Sequence, residues 1–164
     1  MDIFKQLQLN KAIPPFLEKK GNFVVDDIVG IALLIATAFK ERKDNYLIIT
    51  SNLYKAQQVY NLLTYFLNQD EVSLFPADEL IRAELIAQSK EMVAQRLYVL
   101  NSTFDSKKQI IVACASSASR YLPSPSLFKE STINLKVGDI VDLTKLKKKL
   151  IKSGYLLVNK VDSS

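Results

Sequence analysis

The 164 residues include no histidine and only one cysteine, Cys114. Without imidazole, Ser-His-Asp and Cys-His catalysis are removed, and so is the commonest zinc ligand. A zinc site would need several carboxylates or thiolates, and one cysteine leaves little to assemble it from, so no metal site is expected. A lone cysteine also rules out an internal disulfide and fits a reducing, cytoplasmic compartment. Glycine (4) and proline (5) are scarce, which leaves no room for low-complexity linkers. Residues 1–10 carry Asp2 and Lys5 in an amphipathic pattern rather than a basic segment followed by an apolar core, so no signal peptide is expected. The longest apolar run, 28–39, is too short to span a bilayer and is interrupted by Gly30 and Thr37.

What is present is the balance of an ordinary globular protein, 48% apolar and 24% charged. The length suits one domain with a proper core and the beginning of a second. The formal charge of +5 is mild, and much of it lies in Lys145, Lys147, Lys148, Lys149 and Lys152.

Residues 3–19 read as one or two short helices broken by Pro14 and Pro15. Residues 22–25 form a short apolar run that reads as a buried strand. A helix is expected over 31–42, then a strand over 46–50 whose β-branched residues do not alternate with polar ones. Ser51 or Asn52 can cap the next helix, on which Leu53, Ala56, Tyr60, Leu63 and Leu67 share one face. A strand over 71–75 ends at Pro76. A helix over 89–104 turns Met92, Leu97, Leu100 and Phe104 inward, and 109–113 is another continuous apolar strand. A loop carries Pro123 and Pro125, followed by a short strand over 133–137. Asp142 can cap a helix with Leu143, Leu146, Leu150 and Ile151 on its apolar side, and Gly154 stands where a helix end favours a left-handed residue. A last strand is expected over 155–161. The β-α-β-α-β-α-β order with unalternating strands predicts an α/β fold, a parallel sheet flanked by helices on both faces. The character changes near Ser131, where a smaller α+β unit begins.

In nucleotide-binding sheets of this type the turn after the first strand cradles phosphate. It needs glycines for converging N–H groups, a lysine for the β- and γ-phosphates, and Ser or Thr for Mg²⁺. Here the turn reads Val25-Asp26-Asp27-Ile28-Val29-Gly30-Ile31-Ala32, and only Gly30 is permissive. Asp26 and Asp27 set two negative charges where a polyphosphate would sit, a repulsion of several kcal/mol at ~4 Å and intermediate dielectric. Neither nucleotide binding nor ATP hydrolysis is expected of this chain, so no catalytic and no cofactor-binding residue is assigned.

Four stretches, in order, resemble the N-terminal region of bacterial transcription-repair coupling factors (Mfd), the module that is similar to the excision repair protein UvrB. They are 47–57 (LIITSNLYKAQ), then 74–80 (LFPADEL), then Ser89-Lys90-Glu91 with Arg96-Leu97 and Leu100. The fourth is 135–139 (LKVGD) followed by Asp142-Leu143, Leu146, Lys149-Leu150 and Gly154-Tyr155. The degenerate turn favours the coupling factor over UvrB, which keeps an intact phosphate loop. The resemblance implies a degenerate RecA-like domain of P-loop NTPase type over 1–130, similar to UvrB domain 1a. It implies that 131–164 begin the UvrA-docking unit, similar to UvrB domain 2 and truncated. It implies a parent that is an ATP-dependent DNA translocase of helicase type, which removes stalled RNA polymerase and recruits UvrA in nucleotide excision repair. ATP and Mg²⁺ then belong to the parent's motor domains, and the partners are UvrA, the parent's other domains, RNA polymerase and DNA. This piece is then a non-catalytic docking and autoregulatory module. The family's docking arginines fall beyond Ser164, so no UvrA-contact residue is assigned.

Other candidates have a plainer reading beside the sharp one. Lys145, Lys147, Lys148, Lys149 and Lys152 suit sequence-independent contact with nucleic-acid phosphates, the alternative function for the chain; the leucines of the same segment equally make them the solvated face of an amphipathic helix. Asp78, Glu79 and Glu84 with Arg82 could do acid–base work or hold Mg²⁺, but without a phosphate site they read as a polar loop. Arg96 is balanced between an ion pair, with Glu91 or a carboxylate elsewhere, and an ordinary helix-surface residue. Cys114 follows a strand at its carboxyl end, where such sheets bind ligands, yet reads as a small buried residue. Tyr54, Tyr60, Tyr65 and Phe66 read as mostly core or sheet-facing.

Overall fold

The computed structural model describes residues 3–18, 22–42, 44–77, 90–104 and 107–158. They form two compact units, Met1–Arg120 and Tyr121–Ser164. The acidic group Asp78, Glu79, Glu84 and Arg82 lies outside the described residues.

The first unit begins with two short helices, α1 (Ile3–Gln8) and α2 (Ile13–Leu17), the latter opened by Pro14 and Pro15 in its first turn, where a missing N–H costs nothing. Helix α3 (Ile28–Arg42) starts three residues earlier than its composition suggests. Strand β1 (Tyr46–Thr50) leads into α4 (Leu53–Phe66), whose cap is Asn52: its side chain accepts the Lys55 amide at 2.9 Å. A single 3₁₀ turn precedes β2 (Val72–Phe75), and α5 (Lys90–Ser102) precedes β3 (Ile110–Cys114).

The three strands among the described residues are parallel, in the order β1-β3-β2. The chain passes over β3's place on its way to β2 and returns through α5 to fill it. Reversing the direction of travel with the usual right-handed crossovers puts α4 and α5 on opposite faces. On one face Ile110, Val112, Val72 and Leu74 pack with Ala32, Ile35, Ala36 and Phe39 of α3 and Ala56, Val59 and Leu63 of α4. On the other, Phe75 and Ala113 pack with Val99, joined by Leu100 and Ile111. The fold is therefore a small parallel α/β sheet flanked by helices.

Residues 22–25 are not a strand. Among the described residues no strand pairs with them; Phe23 instead stands edge-on to Phe16 with ring centroids 5.3 Å apart, and Val24 is exposed. The inward side of α5 is centred on Val99, so Leu97 and Phe104 lie more exposed than its sequence implies. On α4 the buried arc is Ala56, Val59 and Leu63, which leaves Tyr54 and Tyr65 on the surface and only Tyr60 and Phe66 half-buried.

Strand β3 runs directly into the short helix α6 (Ala115–Ala118). In the second unit, α7 (Pro125–Ser131) replaces the expected loop. Pro125 occupies its first turn, and the Ser124 hydroxyl accepts the Leu127 amide at 3.3 Å. The proline that reads as a breaker is a helix starter. Residues 133–137 are irregular because the chain turns at once: the Asp139 carboxylate accepts the Lys136 amide at 2.8 Å and Gly138 sits at φ 97°. Helix α8 (Leu143–Lys152) is capped by Asp142, which accepts the Thr144 and Lys145 amides at 3.0 and 3.1 Å. It ends at Gly154 with φ 88°, where the Tyr155 amide donates back to the Leu150 carbonyl. Of the strand expected over 155–161, residues 155–158 are irregular and the remainder lies outside the described residues. Leu146 and Leu150 are half-buried, but Leu143 and Ile151 of the same helix are exposed.

Candidate functional site

The start of α3 is where a phosphate-binding turn would stand. Asp27 immediately precedes the helix: its carbonyl accepts the Ile31 amide at 3.2 Å, and its carboxylate accepts the Gly30 amide at 2.7 Å. A helix N-terminus presents unsatisfied N–H groups and positive potential, and here a carboxylate of the chain itself takes up part of both. Gly30 serves close packing. A Cβ on it would come within 2.8 Å of Val25 Cγ1. Asp26 is exposed beside this cap. The structure thus brings Asp26, Asp27 and Gly30 into one capped turn, although no strand leads into it.

The carboxyl ends of the strands form the edge at which parallel sheets bind ligands. Thr50 closes β1, its hydroxyl bonding the Asn52 carbonyl at 2.9 Å and reaching the Ala113 carbonyl at 3.4 Å. Ser117, buried at the start of α6, accepts the Cys114 amide at 3.2 Å and lies 2.9 Å from the Cys114 carbonyl and 3.4 Å from that of Phe75. It thereby ties β3 to β2. Burial pushes the Cys114 thiol up, but bonds from the Ser116 and Ser117 hydroxyls and backbone amides outweigh it, so the thiol sits below its ordinary value. Gln95 donates to the Leu74 carbonyl at 3.2 Å, and the Arg96 guanidinium donates to the Pro76 carbonyl at 3.3 Å while lying 4.6 Å over the Phe75 ring. Arg96 fastens α5 to the end of β2. Among the described residues no buried side-chain nitrogen or oxygen lacks a partner. Among the described residues, Thr50, Ser117, Gln95 and Arg96 at this edge are each engaged with the fold itself.

The third location is α8. Lys145, Lys148, Lys149 and Lys152 line an open groove of about 490 Å³ together with Ile151, while Lys147 is not part of it. Lys145 pairs with Asp142 at 3.7 Å, and Lys149 donates to the Thr132 carbonyl at 3.1 Å. Among the described residues no group of three or more His, Cys, Asp or Glu could hold a metal ion, and no helix is long and apolar enough to cross a membrane.

Of these features, the α3 cap was signalled in the sequence by aspartate three residues before glycine at the head of an apolar helix. The Ser117 bridge and the Arg96–Phe75 stack had no such signal, because each joins residues more than 20 positions apart.

No family model matches the chain, and no solved structure does. Among curated proteins it is similar to the transcription-repair-coupling factor of Bacillus subtilis (strain 168), 37% identical over 108 residues, 66% of this chain and 9% of that protein. It is similar to the protein of that name from Staphylococcus haemolyticus (strain JCSC1435), 26% identical over 124 residues, 76% of this chain and 11% of that protein. That from Staphylococcus aureus (strain bovine RF122 / ET3-1) is 25% identical over 122 residues, 74% of this chain and 10% of that protein. The matched region spans about a tenth of the length of these relatives.

Proposed function

We propose that this chain, a homologue of the transcription-repair coupling factors, is the nucleotide-silent docking and autoregulatory module of such a factor. The parent is then an ATP-dependent DNA translocase that removes stalled RNA polymerase and recruits UvrA to the lesion in the cytoplasm. In this reading ATP and Mg²⁺ serve the parent's motor domains, and residues 131–164 begin the unit that docks UvrA or the parent's other domains.

The observation that carries the nucleotide-silent part is the Asp27 carboxylate on the first turn of α3, 2.7 Å from the Gly30 amide. A polyphosphate approaching that turn would meet a like charge already hydrogen-bonded to the amide it needs. At the sheet's carboxyl edge, Thr50, Ser117 and Arg96 spend their bonding capacity on backbone carbonyls. Such a domain works through its surface.

Isothermal titration of the chain with ATP–Mg²⁺ tests this part of the reading. No saturable heat is expected at millimolar nucleotide; saturable binding that is lost on substitution in the 26–30 turn would overturn it. The docking part is tested with the full-length parent and purified UvrA. Deleting the region equivalent to this chain should abolish the complex while leaving ATP turnover, and an unchanged complex would refute docking.

A further inference from the structure

The second unit carries most of the chain's net positive charge. Residues 121–164 hold eight Lys and four Asp or Glu, a net +4 of the whole chain's +5. Within α8 the charge is ordered. Lys145, Lys148, Lys149 and Lys152 follow an i, i+3, i+4, i+7 spacing, which sets them along one side of the helix. Together with Ile151 they line the groove described above, and the half-buried Leu146 and Leu150 lie on the adjoining side of the helix.

We propose that this lysine stripe binds the phosphate backbone of duplex nucleic acid, without reading its sequence. At 1.5 Å per residue the stripe is about 10 Å long, about the axial rise of three base pairs at 3.4 Å each. Its chemistry distinguishes nucleic acid from a protein partner. Protein interfaces are enriched in aromatic residues and Arg and depleted in Lys, whereas the stripe has no Arg and no aromatic residue, and α8 contains no acidic residue. Lysine is a mobile point charge suited to phosphates that need no fixed geometry. Neither polar contact obstructs this: the Asp142–Lys145 pair is solvent-exposed and weak, and the Thr132 carbonyl engages one of the three donors of Lys149.

The test uses the whole chain and a fluorescein-labelled 20-base-pair duplex, with binding followed by anisotropy from 50 to 200 mM NaCl. Four neutralised phosphates predict a slope of log K against log salt near −3.6, a loss of roughly a hundredfold over that range. The quadruple variant K145Q/K148Q/K149Q/K152Q should lose binding, while the charge-matched K5Q/K11Q/K55Q/K108Q variant should keep it. Far-UV circular dichroism checks that α8 persists. If the quadruple variant unfolds, K148Q and K152Q singly should each reduce the slope by about 1. Absence of binding at 50 mM, a slope near zero, or equal losses in both quadruple variants would overturn the proposal. Binding of a poly-glutamate peptide without binding of the duplex would also overturn it and assign the stripe to an acidic protein.

Discussion

Replacing Asp27 by alanine removes a side chain that caps α3. In the native chain the Gly30 amide donates to this carboxylate at 2.7 Å, and the Asp27 carbonyl accepts the Ile31 amide, the first bond of the helix. Loss of an N-cap costs about 1 kcal/mol, and loss of a negative charge beside the positive end of a helix adds about 0.5 kcal/mol. The expected total is about 1.5 kcal/mol. Asparagine keeps an acceptor at the same place and loses only the charge, so Asp27→Asn should cost about 0.5 kcal/mol. Urea unfolding followed by circular dichroism reads this directly. With a slope of roughly 1.5–3 kcal/mol per molar, Asp27→Ala should lower the midpoint by about 0.5–1 M. The Asp27→Asn deficit should shrink in 1 M NaCl, where charge–dipole attraction is screened, while most of the Asp27→Ala deficit remains. An alanine variant as stable as the parent would refute the cap. So would an asparagine variant as unstable as the alanine one, because the hydrogen bond would then contribute nothing.

Two further outcomes follow from the same unit. Gly30→Ala should gain about 0.5–1 kcal/mol of helix propensity but lose more to the 2.8 Å approach of Val25 Cγ1; in a Val25→Ala background it should become stabilising. A double-mutant cycle checks the change of sign, and additivity within about 0.3 kcal/mol would refute the packing argument. Lys107 and Asp70 form a solvent-exposed ion pair. The bond from Lys107 holds the Asp70 carboxyl below its ordinary 3.8, and the bond from Asp70 holds the Lys107 ammonium above its ordinary 10.5. A lowered carboxyl contributes stability that is complete above the unfolded value and lost as pH falls through the folded one; a raised ammonium contributes below 10.5 and loses it as pH rises through its folded value. The melting-temperature difference between the native chain and Asp70→Asn should therefore be flat from pH 5 to 9, vanish in strong acid and shrink in high salt. A difference that grows in acid would refute the pair.

Reading the sequence located the elements whose signals are local. The runs at 46–50 and 109–113 are apolar and free of polar alternation, and strands form at 46–50 and 110–114 of a parallel sheet; β3 is buried as expected, but β1 is an edge strand with Leu47 and Ile49 exposed. Asn52 capped its helix as its side chain requires, and Gly154 ended another as its freedom at positive φ allows. Where the sequence misled, the missing information was non-local. Four apolar residues at 22–25 look like a strand, but a strand exists only if a neighbour offers its free edge. Tyr54 and Tyr65 have the spacing of core residues, yet α4 is rotated so that smaller Ala56 and Val59 meet the sheet. Pro125 suggested a loop because its effect depends on whether it falls inside a helix or at its first turn.

The sequence by itself determined that the chain lacks the side chains of a phosphate loop, that its sheet is parallel, and that its charge collects near residue 150. These are properties of composition and short-range order, set by side-chain chemistry within one turn or one strand. Tertiary structure alone decided the strand order β1-β3-β2, the bridging of two strand ends by Ser117 and the stacking of Arg96 on Phe75. Each of these joins residues far apart in sequence. Such relations come from the packing of the whole sheet and its helices, where many weak contacts choose one arrangement that no short stretch of chain specifies.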